Sequence, residues 1–158
     1  MSATAWLLTL ADGSRVALGS HWIREVIGEH ERGLSPMFSV PLMPDYCHQL
    51  MHWRNLFIPV LHLEPLVGIT VLALGHYYVV VAYPPLEEKA HLHYGVIVCS
   101  ALPMQITISD ADPVAYSSPI WENYASSCFT YEGDAMPILD TAKVFHYHGS
   151  NNEPPRPS

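Results

Sequence analysis

The stretch Val40–Gly68, VPLMPDYCHQLMHWRNLFIPVLHLEPLVG, constrains the fold more than any other part of this chain, because it sets turn residues and apolar residues in a definite order. Pro41 and Pro44 disfavour a helix before Asp45, which can cap one. Tyr46, Leu50 and Trp53 then fall at i, i+4 and i+7, the spacing of one helical face, so a short helix is expected here. Arg54-Asn55 break it. The apolar run Leu56–Leu63 follows with Pro59 inside it, which fits an edge strand carrying the proline on its unpaired side.

The flanking sequence reads mainly as β. Ala5–Leu10, Asp12-Gly13 and Arg15–Leu18 make a strand, a tight turn and a strand. Ser20 can cap a helix over His21–Ile27, with Ile23, Val26 and Ile27 on one face, although β-branched residues weaken it. Glu29–Ser39 is polar and loop-like. Tyr77–Tyr83, Tyr94–Leu102 and Met104–Ser109 are strand-like, whereas Asp110–Ser127 is rich in turns. Cys128–Tyr131 and Met136–Leu139 form a second hairpin about Glu132-Gly133-Asp134, and Asp140 caps a terminal helical turn.

A chain of 158 residues is long enough for one domain with a real core. Three widely spaced cysteines, Cys47, Cys99 and Cys128, argue against a disulfide framework and for a reducing compartment. With a net charge of -8 and no cluster among the seven Lys and Arg, neither nucleic acid nor an anionic membrane is an expected partner. The start of the chain lacks the features of a secretory signal, so a cytosolic protein is expected. Pro65–Leu86 carries no formal charge, but Gly75-His76 and Pro84-Pro85 break it into two short strands or a loop and a strand, rather than a membrane span.

Four blocks in order along the chain resemble the CheW-like domain, the adaptor module of bacterial chemosensory arrays. They are Ile23-Arg-Glu-Val26 after the opening hairpin; Pro41-Leu-Met-Pro44 leading to Arg54-Asn-Leu-Phe-Ile-Pro-Val-Leu-His-Leu63; Tyr94-Gly-Val-Ile-Val98; and Ala135-Met-Pro-Ile-Leu-Asp140. Gln49, Asn55, His62 and Cys99 depart from the family pattern, standing where glycine, glycine, aspartate and aspartate are usual. The resemblance implies an all-β fold of two SH3-like five-stranded β-barrel lobes sharing one core, with a few short helices. Residues 1–148 would form this domain and 149–158 a disordered tail. It further implies a non-catalytic adaptor with no cofactor, bridging the cytoplasmic tip of a chemoreceptor to the regulatory domain of a CheA-type histidine kinase. Control of type IV pilus twitching is one output, and a scaffold that has lost kinase coupling is the alternative. The matching partner-binding positions are Ile23, Glu25 and Val26 from the first block and Arg54 and Asn55 from the second. Arg supplies directional donors and Glu an acceptor, enough to fix the register of a helical tip. The competing structural roles are an Arg54 that satisfies turn carbonyls and a solvated Glu25.

Other chemistry is weakly signalled. Three histidine pairs, His48 and His52, His91 and His93, and His146 and His148, have spacings that place two imidazoles on one face, but no third ligand is fixed, so no metal site is expected. No phosphate-binding glycine loop occurs, the acidic residues form no pair of defined spacing, and no cysteine sits where its thiolate would be favoured.

Overall fold

The computed structural model describes residues 3–71, 76–87, 91–108 and 113–151. Among these described residues, eleven strands run in chain order: β1 Ala3–Thr9, β2 Arg15–Gly19, β3 Ile23–Gly28, β4 Met37–Ser39, β5 Gln49–Trp53, β6 Leu56–Leu61, β7 Tyr77–Tyr83, β8 His93–Cys99, β9 Met104–Ile108, β10 Ala125–Tyr131 and β11 Asp134–Leu139. One α-helix, α1, spans Thr141–Asn151, and four short 3-10 segments accompany it. The helix thus extends through Asn151, and residues 152–158 lie outside the described residues. Asp140 caps α1 as expected, its carboxylate accepting the Lys143 amide at 3.2 Å.

The strands form two mixed sheets, one for each lobe. The first has five strands in the order β10-β11-β2-β1-β9, and the second has six in the order β3-β7-β8-β6-β5-β4. The sixth strand, β4, comes from the segment read as loop, where Met37–Ser39 pairs antiparallel with Met51–Gln49. All pairings are antiparallel except two short parallel joints, Ile138 with Ala17 and Val60-Leu61 with Val96-Ile97.

Side-chain alternation divides the interior into three cores. Along β7, Tyr78 and Val80 enter one core while Val79 and Val81 enter another; along β8, Val96 and Val98 part from Ile97 and Cys99 in the same way. Period-2 alternation with both faces apolar means that the six-stranded sheet is buried on both sides here. One face lines the interior of its own lobe with Ile27, Met51, Trp53, Ile58 and Val60. The other meets Leu8, Leu10, Val16 and Leu18 of the five-stranded sheet in a shared central core. Leu7, Ala17, Phe129 and Met136 on the far side of that sheet fill the interior of the first lobe.

Three sequence expectations are corrected. The helix over Tyr46–Trp53 is strand β5, because Met51 and Trp53 are buried while Leu50 and His52 are not, a period of two rather than 3.6. The helix over His21–Ile27 is a 3-10 turn, Ser20–Trp22, followed by strand β3, so the β-branched residues prevail over the capping signal. Strand β6 is internal rather than an edge, paired with β5 on one side and β8 on the other. Pro59 is tolerated because β6 pairs with β8 only from Val60 onward, and because Leu50–Pro59 is a non-hydrogen-bonded position of the β5–β6 ladder, counted from the closing pair Trp53–Leu56.

Polar contacts fasten the two lobes at one end of the shared core. The Ser100 amide donates to the Thr9 carbonyl at 2.9 Å, and its hydroxyl lies 2.9 Å from the Leu10 carbonyl. Glu64, fully buried, accepts the Ala11 amide at 3.1 Å. Burial pushes the Glu64 carboxyl above its usual range.

Candidate partner-binding site

Trp53 and Leu56 close the β5–β6 hairpin, leaving Arg54 and Asn55 as its two turn residues. Both are left-handed, with φ of 45° and 63°, as a two-residue turn that matches strand twist requires. Asparagine adopts this conformation readily, which explains how Asn55 serves in place of glycine. Arginine gains nothing from it, and the left-handed region costs an L-residue about 1–2 kcal/mol.

Contacts around Arg54 offset that strain. Its guanidinium lies 4.6 Å from the centre of the Trp53 ring, and its Nη2 is 3.2 Å from Glu25 Oε1. The Trp53 indole N–H donates to the same oxygen at 3.4 Å. Glu25 belongs to β3, at the opposite end of the sheet order from β5, so this contact shows the six-stranded sheet curling until its edges approach. Trp53 is buried, whereas the side chains of Arg54 and Glu25 are 64% and 40% exposed. At that exposure the ion pair contributes at most about 1 kcal/mol to stability. Most of the guanidinium's donors remain turned to solvent, available to an incoming carboxylate or carbonyl.

The structure brings Glu25, Arg54 and Asn55 together at this corner but sets Ile23 and Val26 apart from them. A register shift between Ile23 and Glu25 places Glu25 opposite Val80, on the face that lines the lobe interior. Ile23 and Val26 stand opposite Val81 and Val79, on the face toward the shared core, and Ile23 packs against that core. Strand β3 is a sheet edge, so both faces border one open side of the molecule. Trp53, a buried core residue, also braces this corner, a contact that the sequence did not point to. The spacing placed it on one face of an expected helix, although its place immediately before an Arg-Asn turn is the signal that could have found it.

Exposed apolar residues also lie on and beside the same hairpin. Phe38 and Phe57 have ring centres 6.1 Å apart and are 49% and 63% exposed, and Leu42 is fully exposed nearby in sequence.

The histidines are dispersed. His48 stacks on His62 at 5.5 Å rather than joining His52, and His93 stacks on Tyr83 at the same distance. His62 is buried with neither ring nitrogen hydrogen-bonded; burial first, and the charge of His48 second, hold its pKa below the ordinary value. Among the described residues no three His, Cys, Asp or Glu side chains converge as metal ligands would. The three thiols are free, and burial raises the pKa of each, that of Cys99 to about 12 with help from Glu64, so their nucleophilic thiolate forms are disfavoured. No helix among the described residues is long and apolar enough to cross a membrane.

Comparison with known proteins agrees with this architecture. No curated protein matches the sequence. Among solved structures, the chain is similar to the crystal structure of the scaffolding protein TtCheW from Thermoanaerobacter tengcongensis, with a TM-score of 0.68 at 15% identity, covering 89% of this chain and 90% of that one. Likeness at that identity establishes the fold. The model of the CheW-like domain matches residues 5–148, and on that match the chain belongs to the CheW-like domain family.

Proposed function

We propose that this protein is a non-catalytic adaptor that couples a methyl-accepting type of chemoreceptor to a CheA-type histidine kinase, with Glu25, Arg54 and Asn55 as the polar part of the receptor-binding surface and Ile23 and Val26 as its apolar part. The observation that carries this reading is the Arg54 corner, where an arginine is kept in a strained left-handed turn, exposed, and aimed by a buried tryptophan and a carboxylate on a neighbouring strand edge. Strain of this kind persists where the surrounding structure over-determines it, and it clusters at functional positions. A helical receptor tip lying along β3 would meet Ile23 and Val26 on one side of the strand and the Arg54–Glu25 pair on the other. The exposed Phe38–Phe57 pair offers apolar area for the kinase. The match of the CheW-like domain model over residues 5–148 supports an adaptor over an enzyme.

Binding assays with a receptor cytoplasmic fragment and with a kinase regulatory domain test the proposal. Binding of both supports coupling, and binding of the receptor alone assigns the protein as a scaffold without kinase coupling. Binding of neither overturns the reading.

A further inference from the structure

The six-stranded sheet is split at one end. Strands β6 and β8 pair only at Val60 with Val96 and Leu61 with Ile97; before those residues the strands diverge, each keeping its other neighbour, β5 or β7. The gap is a groove of about 430 Å³ whose walls include Leu56, Phe57, Pro59, Tyr83, Leu92 and Tyr94. That volume lies within the range of pockets that hold small ligands. Phe57, Leu56 and Leu92 are 63%, 45% and 41% exposed, so the groove presents an apolar, aromatic surface to water.

Helix α1 is anchored on the wall of this groove. Phe145 stacks flat on Tyr83, with ring centres 4.5 Å apart and planes within 8° of parallel. The approach depends on Gly95, where a Cβ would fall 2.3 Å from the Phe145 ring. His146 Nε2 lies 2.6 Å from the Pro84 carbonyl oxygen, holding the next residue of the helix beside the same wall. From His146 the helix runs five more residues, through Asn151, a rise of about 7.5 Å. The seven residues that follow, NEPPRPS, include Pro154, Pro155 and Pro157. In polyproline II form they span about 22 Å, enough to reach the groove even after turning back along the helix.

We propose that this groove is the docking site of the chain's own proline-rich segment, residues 152–158. The match is chemical as well as spatial. Proline-rich segments bind aromatic-lined grooves because their rings pack on aromatic faces and their backbone is already restricted. Arg156 adds a guanidinium that can stack on a tyrosine or histidine ring of the walls. Prolines lack the N–H needed to extend a sheet, so the segment lies across the groove rather than adding a strand between β6 and β8. Tethering through α1 keeps its effective concentration in the millimolar range, so contacts too weak to bind a free peptide tightly suffice. The occupied groove would cover Leu56 and Leu92.

Amide NMR spectra of the full chain and of its Pro154→Ala/Pro155→Ala/Pro157→Ala variant test this. Docking predicts shifts at Leu56, Phe57, Leu92, His93 and Tyr94 between the two proteins, unchanged on dilution, and restored toward the parent positions when millimolar synthetic NEPPRPS peptide is added to the variant. Tyr94→Ala in the full chain, with its fold checked by circular dichroism, should move the resonances of residues 152–158 toward those of the free peptide. Differences confined to residues 147–158 overturn the proposal. So do groove shifts that disappear on dilution, which would mean that the groove takes the segment of a second copy.

Discussion

Each lobe has a hairpin closed by a two-residue turn with both residues left-handed, and each turn is braced by an arginine lying near an aromatic ring and paired with a glutamate. In the five-stranded lobe the turn is Glu132-Gly133, with φ of 50° and 85°. Arg15 reaches it from the start of β2, 5.5 Å from the centre of the Tyr131 ring and 3.1 Å from Glu132. In the six-stranded lobe the arginine is itself a turn residue and the glutamate comes from another strand. The first turn uses glycine and an arginine only 28% exposed, a stabilising arrangement. The second omits glycine and leaves its arginine 64% exposed. Similar parts thus differ in exposure: one corner packs its arginine against the molecule, the other leaves its guanidinium largely in solvent.

This contrast can be tested at four levels. Arg54→Ala is expected to weaken receptor binding by more than about tenfold with little change in the denaturation midpoint, the behaviour of an interface hot spot. Arg15→Ala, in the same calorimetric titration, should leave affinity unchanged; equal losses would erase the distinction between the corners. Gly133→Val places a β-branched residue at a φ of 85° and should cost about 1–2 kcal/mol in urea unfolding. Asn55→Gly should have the opposite sign, gaining up to about 1 kcal/mol if relief of the left-handed conformation outweighs the added freedom of the unfolded chain. A loss larger than that would show Asn55 making contacts of its own. Smallest of all, Glu25→Gln should change stability by about 0.5 kcal/mol or less, since the pair is exposed, while reducing the dependence of receptor binding on salt.

The corner was legible in sequence as a turn, and Asn55 was recognisable as a residue suited to positive φ. Its flanks were not. Tyr46, Leu50 and Trp53 satisfy helical spacing, yet Met51 and Trp53 also satisfy strand alternation, and a short apolar run carries too few periods to separate the two. Tertiary pairing decided the matter, since Met51 and Trp53 fill the lobe interior opposite Ile58 and Leu56. In β3 the β-branched residues did predict the outcome, but a serine cap that looked sufficient obscured it. The opening and closing hairpins, by contrast, have Asp12-Gly13 and Glu132-Gly133 at their turns and follow from local chemistry alone. The Glu25–Arg54 pairing could be approached only through family resemblance. Its partners lie on strands far apart in the sheet order, brought together by curvature that no local pattern encodes.

The two parallel joints carry a consequence for how the chain reaches this structure. Hairpins such as β1–β2, β5–β6 and β10–β11 close over a few residues, and each can form with a small loss of chain entropy. The joints cannot. Ile138 must find Ala17 across most of the chain, and Val60 must find Val96 across an intervening hairpin half, with only one and two residue pairs respectively to hold them. Folding therefore falls into quick local steps followed by slow assembly, and the barrier belongs to bringing finished hairpins side by side rather than to making them.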